Sequence, residues 1–137
     1  MANDCIPLFE EGDRIPCVVA TGQSVVGKTF VQFDSFVGPA ISDSPLGAEN
    51  IRCRTAAAAG ASGTLGVAAW DAAAGTPVTV IGGARFIVPV TAGAAITAGQ
   101  QLDNDAAGKV IPHASGVVVG QAMTAAASGA DCYVRLA

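Results

Sequence analysis

Charged residues are scarce in this sequence. Asp, Glu, Lys and Arg make up 13% of its 137 residues, well under the usual quarter. Seven are Lys or Arg, they are scattered, and the net charge is −4. Binding nucleic acid requires clustered basic residues to neutralise phosphates, so that partner is not expected. Aromatic residues are scarcer still at 5%, with one Trp and one Tyr, a poor supply of platforms for a sugar-binding site. The four cysteines, Cys5, Cys17, Cys53 and Cys132, share no C-x-x-C spacing. In a reducing compartment they read as small buried hydrophobes, with disulfides or a metal site as the alternative. No apolar run reaches the roughly 20 residues of a membrane span, so no membrane partner is expected. The start, MANDCIPLFEEGDRIP, is acidic and lacks a basic n-region. A secretory signal is therefore not expected, and synthesis in a cytoplasm is. Periodic, capped helical segments are missing as well, so little helix is expected.

Short alternating segments are what the chain has instead. Residues 65–81, LGVAAWDAAAGTPVTVI, read as strand, turn, strand, because successive side chains on a strand point to opposite faces. The stretch returns at 119–136, VGQAMTAAASGADCYVRL. Gly120 stands for Gly66, Ala122 for Ala68, Gly129 for Gly75 and Val134 for Val80, each 54 positions on. A second echo precedes each copy: Thr21-Gly22-Gln23-Ser24-Val25 then Gly27-Lys28, and Ala98-Gly99-Gln100-Gln101-Leu102 then Gly108-Lys109. Two related β units within one domain are expected, over roughly 15–81 and 84–136. The apolar content is 51%, much of it Ala, so the core should be thin and built from Val, Ile, Leu and the five Phe. A surface this poor in charge either exposes Ala, Gly, Ser and Thr or is partly covered by partners.

The fold class expected is all-β, a small barrel or sandwich of short antiparallel strands. Residues 1–14 read as an extended N-terminal arm and 15–137 as a single β domain. Candidate strands span 16–20, 28–37, 65–70, 78–81, 84–90, 96–102, 109–111, 117–121 and 132–136. Residues 39–64 carry the least regular pattern, with a turn signal at Asp43-Ser44-Pro45-Leu46-Gly47 and an Ala run over 56–61 long enough for one helical turn.

Several motifs need weighing. Gly22-Gln23-Ser24-Val25-Val26-Gly27-Lys28-Thr29 satisfies GxxxxGK[ST]. Phosphate binding there needs a helix directly after the Thr, with its N-terminus aimed at the anion. FVQFDSFVGP follows instead, which reads as a strand, so the match is expected to be a hairpin. Asp103-Asn104-Asp105 with Gly108 lacks the later bidentate Glu of a calcium loop and reads as an Asx-type turn. His113 is the only histidine and has no evident acidic partner in sequence. Trp70 sits at the mouth of the 71–75 turn, as core or rim packing or as an interface anchor. Arg52 and Arg54 flank Cys53 and share a face if that segment is a strand, as a solvated face or an anion site.

The chain resembles the capsid cement, or head decoration, proteins of tailed bacteriophages. The resemblance runs through Leu65-Gly66-Val67-Ala68, Val78-Thr79-Val80, Ile87-Val88-Pro89-Val90, Ala95-Ile96-Thr97-Ala98-Gly99, Gly108-Lys109-Val110, Val119-Gly120-Gln121-Ala122 and Val134-Arg135-Leu136, with Phe9 to Val19 similar to the family's start. Gln100 departs from the acidic residue often found after the turn glycine. The resemblance implies a structural virion protein that binds the outside of a capsid and stabilises it. Its implied partners are the major capsid protein and itself, as a homotrimer. No cofactor, metal or catalytic residue is implied, and synthesis is in the host cytoplasm. Candidate contacts with the capsid or between subunits are Ile6, Leu8 and Phe9 of the arm, together with Arg52, Arg54 and Trp70. The alternative is a non-enzymatic β module binding a cell-surface ligand such as a glycan.

Overall fold

Glycine-rich turns chop the chain into strands of three to seven residues. The computed structural model describes residues 14–37, 51–56 and 64–137; residues 1–13, with Cys5 and the expected arm, lie outside them, as do 57–61 of the expected helical turn. β1 (Arg14–Val19), β2 (Phe30–Phe36), β3 (Ile51–Thr55), β4 (Thr64–Ala68) and β5 (Pro77–Ile81) close a barrel in the order β1-β3-β2-β4-β5. β6 (Ile87–Thr91), β7 (Gln101–Asn104), β8 (Val110–Pro112), β9 (Gly120–Ala122) and β10 (Asp131–Leu136) form a second sheet in the order β6-β10-β9-β7-β8. A parallel bridge between Ala92 and Val110 joins its two ends. No helix occurs among the described residues, and the all-β expectation is met.

The two units use one pairing scheme. In the first, β1 pairs β5 and β2 pairs both β3 and β4, all antiparallel, while β1 and β3 run parallel. In the second, β6 pairs β10 and β7 pairs both β8 and β9, again antiparallel, with the parallel bridge in the place of β1–β3. The 54-residue spacing reappears in the register: Ala68 pairs Val80, and Ala122 pairs Val134. In the stretch before, the register matches Gly99 with Lys28 rather than with Gly22. The neighbouring bridges are Val25 to Ala72 and Ile96 to Ala126, and both Lys28 and Gly99 have positive φ, 62° and 89°.

Each unit has its own core. The first holds Cys17, Val19, Val25, Val31, Cys53, Ala68, Ala72, Val78 and Val80. By register these correspond to Val90, Ala92, Ile96, Leu102, Val110, Ala122, Ala126, Cys132 and Val134, which belong to the second or, for Ala126, pack against it. Cys17 and Cys53 therefore stand where the second unit has Val90 and Val110, and Cys132 stands where the first has Val78. The three described cysteines are buried and free, and valine is their counterpart each time, which is the role of a small hydrophobe. The core of the first barrel contains no aromatic residue. Of the four described Phe residues only Phe30 is buried, and Phe33, Phe36 and Phe86 are exposed. This corrects the expectation of a Phe-built core.

The units meet through the outer face of the first barrel. Phe30 and Val67 pair across β2 and β4, point out of their own barrel and pack into the second core. Their counterparts in the second unit, paired in the same way, are Gln101 and Gln121. Phe30 N–H donates to Gly108 O at 2.7 Å, and Thr91 N–H to Lys28 O at 2.9 Å. The segment expected to be least regular supplies β3, a strand inside the closed barrel. Its IRCRT sequence has only Cys53 buried, too short a signal to read as alternation. Residues 97–100 form a turn rather than continuing a strand from Ile96: Gln100 Oε1 accepts from Thr97 N–H at 2.8 Å.

Candidate functional site

An open apolar groove lies on the outer face of the first barrel. β1 and β5 pair Arg14 with Ile81 and Pro16 with Thr79, which brings these four side chains to one face. The chain leaving β4 adds Ala69 and Trp70, and the six residues line a groove of about 520 Å³. Ala69 N–H donates to Thr79 O at 2.9 Å, and Trp70 Nε1 donates to Pro77 O at 3.4 Å. Asp71 Oδ1 accepts from Gly27 N–H at 2.7 Å, fastening the Trp70 turn to the 27–28 turn. A Cβ on Gly27 would lie 3.0 Å from Trp70 Cα. Trp70 is thus held at the surface with 49% of its area exposed, on the rim rather than in the core.

The same face exists on the second unit, with different side chains. Tyr133 pairs Pro89 and Arg135 pairs Ile87, and Met123 N–H donates to Tyr133 O at 2.7 Å, the counterpart of the Ala69 bond. Ile87, Met123 and Tyr133 are all exposed large apolar residues. Sequence reasoning singled out Trp70 but missed these three; the 54-residue echo was the signal that could have found Met123 and Tyr133.

The other predicted contacts fall elsewhere. Arg52 and Arg54 project outward from β3 on either side of buried Cys53, and they do not line the Trp70 groove. Arg54 Nη1 lies 3.9 Å from Asp34 Oδ1, and Arg52 sits opposite Ser35. On the adjacent β2 the register shifts between Phe33 and Ser35, and Phe33 and Phe36 are exposed. Ile6, Leu8 and Phe9 lie outside the described residues.

His113 does have an acidic partner, contrary to the reading from sequence. Its Nδ1 is 2.5 Å from Asp103 Oδ1, and Asp103 Oδ2 accepts from Ala114 N–H at 3.0 Å and Ser115 N–H at 3.4 Å. Asp103 is 1% exposed. Burial works to raise its pKa, but the hydrogen bonds from His113 and the two N–H groups outweigh burial and hold the carboxyl below its ordinary value. The pair braces the turn after β8. Asp103 was read as part of the turn, whereas β7 runs through Asn104 and the Asx turn is made by Asp105, whose Oδ1 accepts from Ala107 and Lys109 N–H.

The GxxxxGKT match is a turn leading into β2, with no helix behind it. Lys28 Nζ is 2.7 Å from Asp131 Oδ2, and that bond raises the Lys28 pKa. Thr29 is buried, and its hydroxyl donates to Val26 O at 2.6 Å. Neither side chain is presented to a phosphate. Lys28→Ala should leave the melting temperature nearly unchanged, because exposed ion pairs contribute little. Titration calorimetry with magnesium and ATP should give no saturable heat with either protein; micromolar binding lost in the variant would contradict this reading.

Comparison with known proteins adds two findings. A family model described as phage cement protein matches residues 9–136. Among solved structures, the head fiber gp8.5 N base of bacteriophage phi29 has the same fold, with a TM-score of 0.68 at 18% identity, covering 90% of this chain and 92% of that one. No curated protein matches the chain.

Proposed function

Because the chain belongs to the phage cement protein family, we propose that it is a structural virion protein that binds the outer surface of a phage capsid and stabilises the shell. The observation that carries this reading is the family match over residues 9–136. Its partners are the major capsid protein and further copies of itself, as a homotrimer, and it does no chemistry. It is made in the host cytoplasm and resides on the capsid exterior. Exposed apolar side chains on equivalent faces of two units, a low charge content and the phi29 head fiber likeness in fold support a protein whose surface is covered in an assembly. The shared pairing scheme supports an origin of the two units, 15–81 and 84–136, by duplication.

Contact residues on this reading are Trp70 and the arm residues Ile6, Leu8 and Phe9, with Arg52 and Arg54 as a separate polar patch. A buried Leu or Phe contributes about 1.5–3 kcal/mol, which offsets the ordering of a few arm residues at about 1–2 kcal/mol each. Many copies on a lattice amplify a small loss per copy. Undecorated particles mixed with purified protein should bind it to a fixed number of copies and then withstand heating better. Deleting residues 2–9 should leave the circular dichroism unchanged and lower the bound copies. Full-length protein that never binds the parent shell would refute the reading; a truncated form that binds as tightly would remove the arm from the interface.

A further inference from the structure

The Trp70 groove exists because the first barrel lacks bulk that the second supplies from its own chain. Ala69 stands where the second unit has Met123, and Thr79 where it has Tyr133, with Pro16 and Pro89 equivalent beneath them. Two small residues against two large ones leave the opening of about 520 Å³ beside a half-exposed Trp, within the range of about 300–1,000 Å³ of pockets that take ligands. The groove is apolar apart from Arg14 and Thr79.

We infer that this groove takes the N-terminal segment of a second copy of the chain, with Ile6, Leu8 and Phe9 against Trp70, Pro16 and Ile81. Thirteen residues precede Arg14, the first described residue, and Arg14 itself lines the groove. They contain the apolar run Ile6-Pro7-Leu8-Phe9 followed by Glu10, Glu11 and Asp13, so an apolar face and an acidic flank meet an apolar groove and its Arg. The chain has few charged residues, 13%, and an exposed apolar groove on such a surface is suited to being covered by a further copy. β1 is paired on both sides within its barrel, so the contact is side-chain docking on an outer face and not strand addition. This inference rests on the self-association proposed above. It is tested in solution without a shell, so it fails or stands apart from capsid binding.

Trp70 is the only tryptophan, and its emission reports the groove directly. Two full-length variants separate the parts: Leu8→Glu/Phe9→Glu spoils the arm, and Ala69→Met/Thr79→Tyr fills the groove with the second unit's own residues while keeping Trp70. Both should keep wild-type circular dichroism. A peptide of residues 1–13 added to the arm variant should shift Trp70 emission to the blue and saturate, and should do neither with the groove-filled variant. By sedimentation each variant alone should associate about tenfold or more weakly than wild type. Mixed, they should pair, since one carries an intact groove and the other an intact arm. No emission change with peptide, or undiminished association of the groove-filled variant, would overturn the inference. Full-length emission already blue-shifted and independent of dilution, with no pairing on mixing, would place the segment in its own groove and overturn the second-copy assignment.

Discussion

Replacing Gly66 with alanine is expected to prevent the first barrel from forming. A Cβ there would lie 2.1 Å from Ile81 O and 2.7 Å from Gly82 Cα. The atoms in the way are backbone of the neighbouring strand end and cannot swing aside as a side chain would. Gly120, 54 positions on, has the same role: its Cβ would meet Val134 Cγ1 at 2.5 Å and Arg135 O at 2.6 Å. Both substitutions belong to the exceptional class that costs more than about 4–5 kcal/mol, with Gly66→Ala the worse because both its closest obstacles are main chain. Gly75→Ala and Gly129→Ala serve as controls. Like Gly66 they have positive φ, 77° and 86°, but a Cβ meets nothing within 4 Å, so each should cost only roughly 1–2 kcal/mol. Thermal melts of soluble protein decide the matter. A Gly66→Ala protein melting within a few degrees of wild type would show that β4 and β5 do not approach as described.

Asp103→Ala is expected to give the next largest loss. It removes a buried carboxylate and strips His113 and the Ala114 and Ser115 N–H groups of their acceptor. Leaving a buried hydrogen-bonding group without its partner typically costs about 1–3 kcal/mol, and here several groups lose theirs, all in the second unit. Asp103→Asn keeps an acceptor and the side-chain volume and should cost less. The same contacts set a pH dependence. The carboxyl is held below its ordinary value of 3.8 in the folded protein, so the unfolded chain takes up the proton first as pH falls. The stabilisation is complete above that value and disappears as pH drops through the lower, folded pKa. Denaturant midpoints should therefore fall in acid below about pH 4, and by less in Asp103→Asn. An equal acid loss in the two proteins would remove Asp103 as the cause.

Strand identity was legible because it depends on nearest neighbours along the chain. β10 shows this best: Cys132, Val134 and Leu136 are buried and Asp131, Tyr133 and Arg135 exposed, as strict alternation dictates. The return of residues 65–81 at 119–136 was legible for the same reason, since β4–β5 and β9–β10 are local pairs whose turn keeps its length. The failure of the GxxxxGKT motif could also be read locally, from the alternating residues that replace the required helix. Sequence thus determined an all-β chain with two echoing segments and without a phosphate loop.

What needed the tertiary structure were matters settled between distant residues. Val67 should face solvent by alternation with Ala68, yet both are buried, because the second unit covers the outside of the first. Phe30 is buried because it packs against the second unit, whereas Phe33, Phe36 and Phe86 stay exposed, and no local pattern separates them. Asp103 and His113 are ten residues apart in sequence and meet only because β7 and β8 pair. The Trp70 groove is defined by small residues at Ala69 and Thr79, and missing bulk leaves no mark in a sequence until the equivalent positions, Met123 and Tyr133, are set beside them by the 54-residue echo and the matching hydrogen bonds. Local pattern sets which residues extend; only the closing of strands from far apart decides what each face meets.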